Sequence, residues 1–367
     1  MKMVDKSENA CIMAQGSGLR VFFWPKSSLN QYIALMQEAV RATGYELYNG
    51  RAIYALFRCR VFHFNWFEYV GGSSRLKRIM RFIMKILVLP LLKVSGKKII
   101  FTFHNKMPHE STKLPLFPKV LMNWFFRHAN GIVIHCTQSI PAAKSIFPGI
   151  DTSRMFYVPH PNYTTAYHDT EHYSHYTKKP GEIVLTFIGA LCPYKCLEVL
   201  IESAKKLSDV RDIHFLICGN GSPEYIDKLR SLSDGSNITL DARFIEDGEI
   251  PSLMAMSDAV LLPYRTISEL NSGASYLAFS FGKTIIGTRT GTTSDIDDQS
   301  LLYCYDYTED EDKHVSRLKD AIMKFYADFK NDEASVKRKG EALREIMIQK
   351  HSVEETAKAL RKIYSIE

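Results

Sequence analysis

Two histidines fall in one short stretch, Phe103-His104-Asn105-Lys106-Met107-Pro108-His109-Glu110. Imidazoles beside an asparagine and a carboxylate can bind hydroxyls or accept a proton; loop packing is the alternative use. Trp66-Phe67-Glu68 carries one carboxylate in a similar setting, so Glu68 is a second candidate base or hydroxyl ligand. His160, in Val158-Pro159-His160-Pro161-Asn162-Tyr163, is a further candidate contact within a turn-like segment.

A second group of residues suits a phosphate. Leu261-Leu262-Pro263-Tyr264-Arg265 runs through a polar loop holding Glu269 into Asn271-Ser272-Gly273-Ala274. A helix opening there presents unpaired N–H groups and about half a positive charge. Small side chains let an anion reach that backbone, which makes Ser272, Gly273 and Ala274 a candidate diphosphate cradle; an ordinary serine N-cap is the alternative. Phe187-Ile188-Gly189-Ala190-Leu191-Cys192-Pro193-Tyr194-Lys195 runs from a strand through a glycine turn to a lysine at a helix start. A cation there opposes the helix dipole unless an anion lies nearby. Cys218-Gly219-Asn220-Gly221 lacks the third glycine of a dinucleotide fingerprint and reads as a turn.

These residues need strand ends and helix starts to position them. Apolar strand-like segments at 19–24, 46–48, 61–66, 98–103, 131–136 and 155–158 alternate with helical patterns at 31–43, 75–94 and 117–128. The pattern recurs with strands at 183–188, 214–218, 238–244, 259–263 and 284–287, separated by helices. Three helices close the chain near 313–329, 332–349 and 353–366. Such alternation predicts parallel sheets covered on both faces. Its repetition predicts an α/β protein of two doubly wound, Rossmann-like domains, with ligands at the carboxyl ends of the strands. The expected boundaries are a flexible leader 1–17, a first domain 18–170, a second 171–350 and a crossover helix 351–367. Thr164–Pro180, rich in His, Tyr, Thr and Lys, reads as the linker.

The chain has 367 residues, enough for two cores, and its 46% apolar and 24% charged residues are ordinary globular composition. Seven scattered cysteines, mostly in apolar runs, suggest reduced thiols and a cytosolic setting, without zinc-ligand spacing. Residues 1–180 hold 24 Lys/Arg against 9 Asp/Glu, a balance of +15, and the remainder 23 against 31, a balance of −8. From Tyr69 to His109 there is no acidic residue, and Arg75, Lys77, Arg78, Arg81, Lys85, Lys93, Lys97, Lys98 and Lys106 are interleaved with apolar side chains. The uncharged run Ile86–Leu92 is far shorter than the ~20 residues of a membrane span. Arg75–Lys98 therefore reads as a basic amphipathic segment for an anionic membrane surface, at ~1 kcal/mol per basic residue. The acidic second half and the lack of a nucleic-acid motif argue against nucleic acid as a partner.

In their order, these pieces resemble the GT-B glycosyltransferases of the large retaining, family 4-like group and bacterial exopolysaccharide and capsule glycosyltransferases. Phe187–Lys195 resembles the glycine-to-lysine loop that opens their second domain. Arg243-Phe244-Ile245 occupies the place of the backbone that holds the nucleobase. Pro263–Gly282 resembles their donor loop and phosphate-binding helix, and His104–His109 their His-Asn…Pro-His loop. Two positions depart: Ala190 stands where arginine is frequent, and Leu277 replaces the second of two glutamates of which Glu269 is the first.

The resemblance implies two domains facing across a cleft, with the last helix crossing back to the first domain. It implies a metal-independent, retaining hexosyltransferase that uses a UDP- or GDP-sugar and no resident cofactor. Gly189, Lys195, Gly219, Phe244, Ile245, Arg265, Glu269, Ser272, Gly273 and Ala274 would bind the donor. Glu68, His104, Asn105, His109 and His160 would bind the acceptor. Catalysis would fall to His109, His104, Glu269 and Lys195. The expected acceptor is a glycan, polyprenyl-diphosphate-linked, for surface polysaccharide made at the inner face of the cell membrane. Asp295-Ile296-Asp297 is similar to the metal-binding motif of another glycosyltransferase fold but lies beyond the cleft motifs. An NAD(P)-dependent dehydrogenase or epimerase, weakened by the absent GxGxxG, and a non-catalytic two-domain sugar-binding protein are the rival readings.

Overall fold

The computed structural model describes residues 19–106, 115–235, 237–266 and 270–366. The expected leader, His109 and Glu269 lie outside the described residues. The chain divides into two compact units, residues 1–161 with 351–367, and residues 162–350.

The first unit runs β1 (Arg20–Trp24), α1 (Gln31–Ala42), β2 (Glu46–Leu47), α2 (Ala52–Arg58), β3 (Val61–Asn65), α3 (Arg75–Val94), β4 (Lys98–Thr102), α4 (Leu116–His128), β5 (Gly131–Ile134), α5 (Ser139–Ile146) and β6 (Met155–Tyr157). Its six strands form one parallel sheet in the order β2-β1-β3-β4-β5-β6. Asn30 starts α1 by accepting from the Tyr32 amide, and the helix then buries Tyr32, Ile33, Leu35, Met36, Ala39 and Val40 at helical spacing. The core under it joins Val21, Phe23, Val61, Ile100 and Val133 of the sheet to Leu360, Ile363 and Tyr364 of the chain's last helix. Each such buried side chain contributes about 1.5–3 kcal/mol.

The second unit runs β7 (Ile183–Ile188), α6 (Leu197–Lys205), β8 (Ile213–Cys218), α7 (Pro223–Leu232), β9 (Ile238–Asp241), α8 (Ile250–Met256), β10 (Ala259–Leu262), α9 (Gly273–Ser280), β11 (Thr284–Thr288), α10 (Gly291–Ser294), β12 (Tyr303–Tyr305), α11 (Glu311–Asn331) and α12 (Glu333–Lys350). Its parallel sheet has the order β12-β11-β10-β7-β8-β9. The last helix, α13 (Val353–Ser365), returns to the first unit and lies on α1, as the fold expectation has it. The two doubly wound sheets are thus as expected for an α/β protein of this type.

Four short elements escape the sequence pattern, one of them the four-residue helix α10. Helix α2 has no capping side chain at Arg51 and exposes Ile53, Tyr54 and Phe57. Helix α5 contains Pro141, and β12 is a three-residue edge strand. The segment expected as a linker is instead a strap on the second unit. The Tyr163 amide donates to Ser280 Oγ at 2.9 Å, Tyr173 OH donates to Asp241 Oδ2 at 3.0 Å, and Lys178 pairs with Asp258 at 2.5 Å. Those contacts place the unit boundary at Asn162, ahead of the expected residue 171.

Candidate active site

In the second sheet, strands β7, β8 and β9 run one way from the centre and β10, β11 and β12 the other, so the order reverses between β7 and β10. A crevice opens at such a reversal, outside the carboxyl ends of the strands. The segments leaving β7 and β10 are those that carry Lys195 and the Ser272–Ala274 helix start.

The β7 exit is fixed by its neighbour. Gly189 and Gly219 have φ of 149° and 150°, and a Cβ on Gly219 would lie 1.8 Å from the Gly189 oxygen. The Gly189 amide donates to Cys218 O at 3.1 Å and the Leu191 amide to Asn220 O at 2.7 Å. Gly219 therefore lets the β8 turn lie against the β7 turn. Pro193–Lys195 then forms a single 3-10 turn, Cys196 takes a left-handed conformation with φ 52°, and α6 begins.

Lys195 is buried, at 8% exposure. Its ammonium lies 3.5 Å from the Tyr264 ring centroid and 4.7 Å from that of Tyr194. Aromatic faces stabilise a cation electrostatically, by about 2 kcal/mol or more when it is desolvated. The β7 and β10 exits are joined by the Arg265 amide, which donates to Tyr194 O at 2.8 Å. Thr288 Oγ1, at the end of β11, donates to Tyr264 O at 2.8 Å. The exposed Arg265 side chain lies beside the Tyr307 hydroxyl.

Ser272 is the N-cap of α9, its Oγ accepting from the Ser275 amide at 3.3 Å, and its own amide donates to Thr292 Oγ1 at 3.1 Å. Among the described residues, a Cβ on Gly273 would meet only the Tyr163 hydroxyl, at 3.5 Å. The described residues thus leave room at this helix start. Leu277, in place of the second glutamate, is buried in α9. Phe244 is 45% exposed, Ile245 is buried, and Arg243 is fixed by two bonds to Glu249, at 2.6 and 2.7 Å. Asp297 pairs with Lys350 on the surface.

In the first sheet the order reverses between β1 and β3. Asn65, the last residue of β3, donates to Trp24 O at 3.0 Å. Its Oδ1 receives the Tyr32 hydroxyl at 3.2 Å and lies 3.1 Å from His104 Nε2. Tyr32 OH is also 2.8 Å from His135 Nε2, and His135 Nδ1 is 2.8 Å from Val158 O. His160 is buried in the same cluster, its ring 4.8 Å from Tyr32 and 5.4 Å from His135. Burial lowers the His135 pKa to about 4 and that of His160 well below its ordinary value, so both rings are neutral. Asn105 is half-buried at the β4 end.

Glu68 lies in the turn after β3. Burial raises its carboxyl to about 7, against a weaker lowering by its own backbone hydrogen bond and by Lys85. Its Oε2 has no hydrogen-bond partner among the described residues.

The structure therefore brings His104 and His160 into one buried network and Gly189, Gly219 and Lys195 into one turn assembly. Tyr32, Asn65, His135, Tyr194, Tyr264 and Thr292 were not singled out from the sequence. Asn65, His135 and Tyr264 lie at or just beyond the carboxyl ends of β3, β5 and β10, where the fold places ligand-facing residues. Nothing in the periodicity of α1 distinguishes Tyr32 from an ordinary core residue.

Helix α3 exposes Leu76, Met80, Ile83, Met84, Leu87, Leu91 and Val94, which recur at helical spacing, and buries Leu89 and Leu92 on its other side. Among the described residues no helix is long and apolar enough to cross a membrane.

Residues 182–328 match the family model described as Glycosyl transferases group 1. A GDP-mannose:glycolipid 4-beta-D-mannosyltransferase of Xanthomonas campestris pv. campestris is 23% identical over 279 residues, 75% of this chain and 74% of that protein. The fold matches sucrose-phosphate synthase from Thermosynechococcus elongatus with a TM-score of 0.72 at 12% identity, covering 94% of this chain and 98% of that one. Anabaena HepE, solved with UDP and glucose, matches with a TM-score of 0.65 at 11% identity, covering 95% and 99%. The chain has the GT-B fold, and the part of its second unit that carries the strand-end turns and the helix start is the part that matches group 1 glycosyl transferases.

Proposed function

We propose that this protein transfers a hexose from a nucleotide diphosphate sugar to a lipid-linked glycan in surface polysaccharide synthesis. The observation that carries the donor half is Lys195, a buried cation over Tyr264 at the strand-order reversal of the group 1 domain. Bringing a diphosphate to that ammonium and to the α9 amides would neutralise the leaving group without a metal ion. The anomeric carbon–phosphate oxygen bond breaks and the bond to the acceptor oxygen forms. The hydroxyl proton passes to a base or to the departing diphosphate. Glu269 and His109 keep the roles the resemblance implies, on sugar hydroxyls and at the acceptor.

The glycolipid acceptor is supported by the name of the Xanthomonas relative and by α3, whose exposed apolar stripe is rimmed by Arg75, Lys77, Arg78, Arg81 and Lys93. Such a helix suits the anionic inner leaflet of a cell membrane. The UDP of HepE and the GDP-mannose of the Xanthomonas enzyme support a UDP- or GDP-sugar donor. For stereochemistry we keep retention, as the resemblance implies. The relative's name specifies a β linkage, and a β product from an α-configured donor would be inversion.

The test incubates purified protein with UDP- and GDP-sugars in EDTA and follows thermal shift, then nucleotide release on adding membrane lipid extract. Stabilisation by one nucleotide class, lost in Lys195→Ala, with lipid-dependent release, is the expected result. The anomeric coupling constant of the product decides the stereochemistry. If no sugar nucleotide shifts the melting point, the donor assignment fails.

A further inference from the structure

We infer that Lys85 of α3 is a positioning residue that holds Glu68 in place to receive the proton of the acceptor hydroxyl. This rests on the transferase reading above. Glu68 sits inside a tight turn, closed by the Tyr69 amide donating to Trp66 O at 3.1 Å. Trp66 enters it in the left-handed region, with φ 51°, a conformation costly for a bulky side chain and kept only where the surroundings impose it. Its ring stacks on His104 at 4.2 Å. Phe67 packs on Phe64 at 4.5 Å.

The Lys85 ammonium donates to Phe67 O at 2.6 Å and to Tyr69 O at 2.7 Å, the carbonyls of the residues on either side of Glu68. It also lies 4.6 Å from the Phe67 ring centroid. One turn earlier on the helix, Arg81 Nη1 donates to Gly71 O at 2.7 Å. Helix α3 thus grips this loop at three carbonyls. Within this turn Glu68 Oε2 is buried and accepts no hydrogen bond among the described residues.

A surface lysine of a membrane-facing helix would point to lipid; this one is turned inward to a carboxylate's backbone. Among the described residues, the charged groups facing Glu68 come from α3: Lys85 directly, and Arg81 beside Lys85. Because Lys85 lowers the Glu68 pKa, its loss moves that pKa further up. The proton acceptor is then ionised only at higher pH.

The experiment measures kcat and KM for transfer against pH in wild type, Lys85→Met, Lys85→Arg and Glu68→Gln, all in the full chain. For wild type we expect kcat/KM to rise with pH through about 7. Lys85→Met should move that limb upward and lower kcat about 10–100-fold, with donor-induced thermal shift unchanged. Lys85→Arg should restore most of it. Glu68→Gln should lose about 10²–10⁴ in kcat and abolish the limb. An unshifted limb in Lys85→Met, or near wild-type turnover in Glu68→Gln, would overturn the inference. A wild type that binds no sugar nucleotide would instead bring down the transferase reading itself.

Discussion

The Lys195 ammonium rests 3.5 Å from the centroid of the Tyr264 ring, so a cation leaving one strand is seated on an aromatic face leaving the next. This contact fixes the direction of the lysine before any donor arrives. Tyr264→Leu should weaken donor binding roughly 10–30-fold, the scale of a desolvated cation–π contact. Tyr264→Phe keeps the ring and should stay within about threefold of wild type. Titration calorimetry with the preferred nucleotide distinguishes them, and equal losses in both variants would refute the contact's importance.

Gly219 and Gly273 should behave in opposite ways when changed to alanine. At Gly219 the new Cβ meets the Gly189 oxygen at 1.8 Å with φ at 150°, so the β8 turn must move away from the β7 turn. The expected cost is about 2 kcal/mol or more, read as an earlier thermal transition. At Gly273 the Cβ would touch, among the described residues, only Tyr163, so folding should hold within about 0.5 kcal/mol. Donor affinity should nevertheless fall in Gly273→Ala, because the methyl occupies the approach to the helix start. Unchanged affinity would argue against a diphosphate there.

Acid should loosen the first unit early. Burial lowers His63 to about 3 and His135 to about 4, and lowers His160 well below its ordinary value. Unfolded histidine titrates near 6.5, so between there and the folded values the unfolded chain binds more protons. Stability is therefore full above about 6.5 and falls as pH drops, by up to about 1.4 kcal/mol per pH unit for each ring. Chemical denaturation at pH 7.5, 6 and 5, followed by tryptophan fluorescence, checks this; all three tryptophans, Trp24, Trp66 and Trp124, belong to this unit. A pH-independent midpoint would contradict it.

The outer stripe of α3 predicts lipid binding. Leu87 and Leu91 are 66% and 49% exposed. Replacing both with glutamine should weaken sedimentation with phosphatidylglycerol vesicles by about tenfold or more. Raising the salt concentration should weaken it further, because the basic rim acts through screened charges. Donor thermal shift, which the proposed site assigns to the second unit, should not change. Wild-type binding to vesicles by the double variant would remove α3 as the docking surface.

Much of this protein is legible in its residues. Alternating strand and helix periods fix two parallel α/β layers, since each amphipathic element has one way to bury its face. Gly189 and Lys195, as a glycine and a lysine between a strand and a helix, mark the turn from β7 to α6 on their own. The small residues 272–274 likewise mark a helix start.

What periodicity does not carry is which strand ends become neighbours. Sheet order alone puts the exit of β7 beside that of β10, residues 188 and 263, and so places Tyr264 under Lys195. Likewise Tyr32 reads as core in α1 until β3, β4 and β5 bring Asn65, His104 and His135 around its hydroxyl. Lys85 reads as one more surface cation until the α3 register turns it onto the Glu68 turn. Side-chain patterns are local, set by the repeat of one element, whereas partners across a sheet or between a helix and a loop depend on packing among elements far apart in the chain.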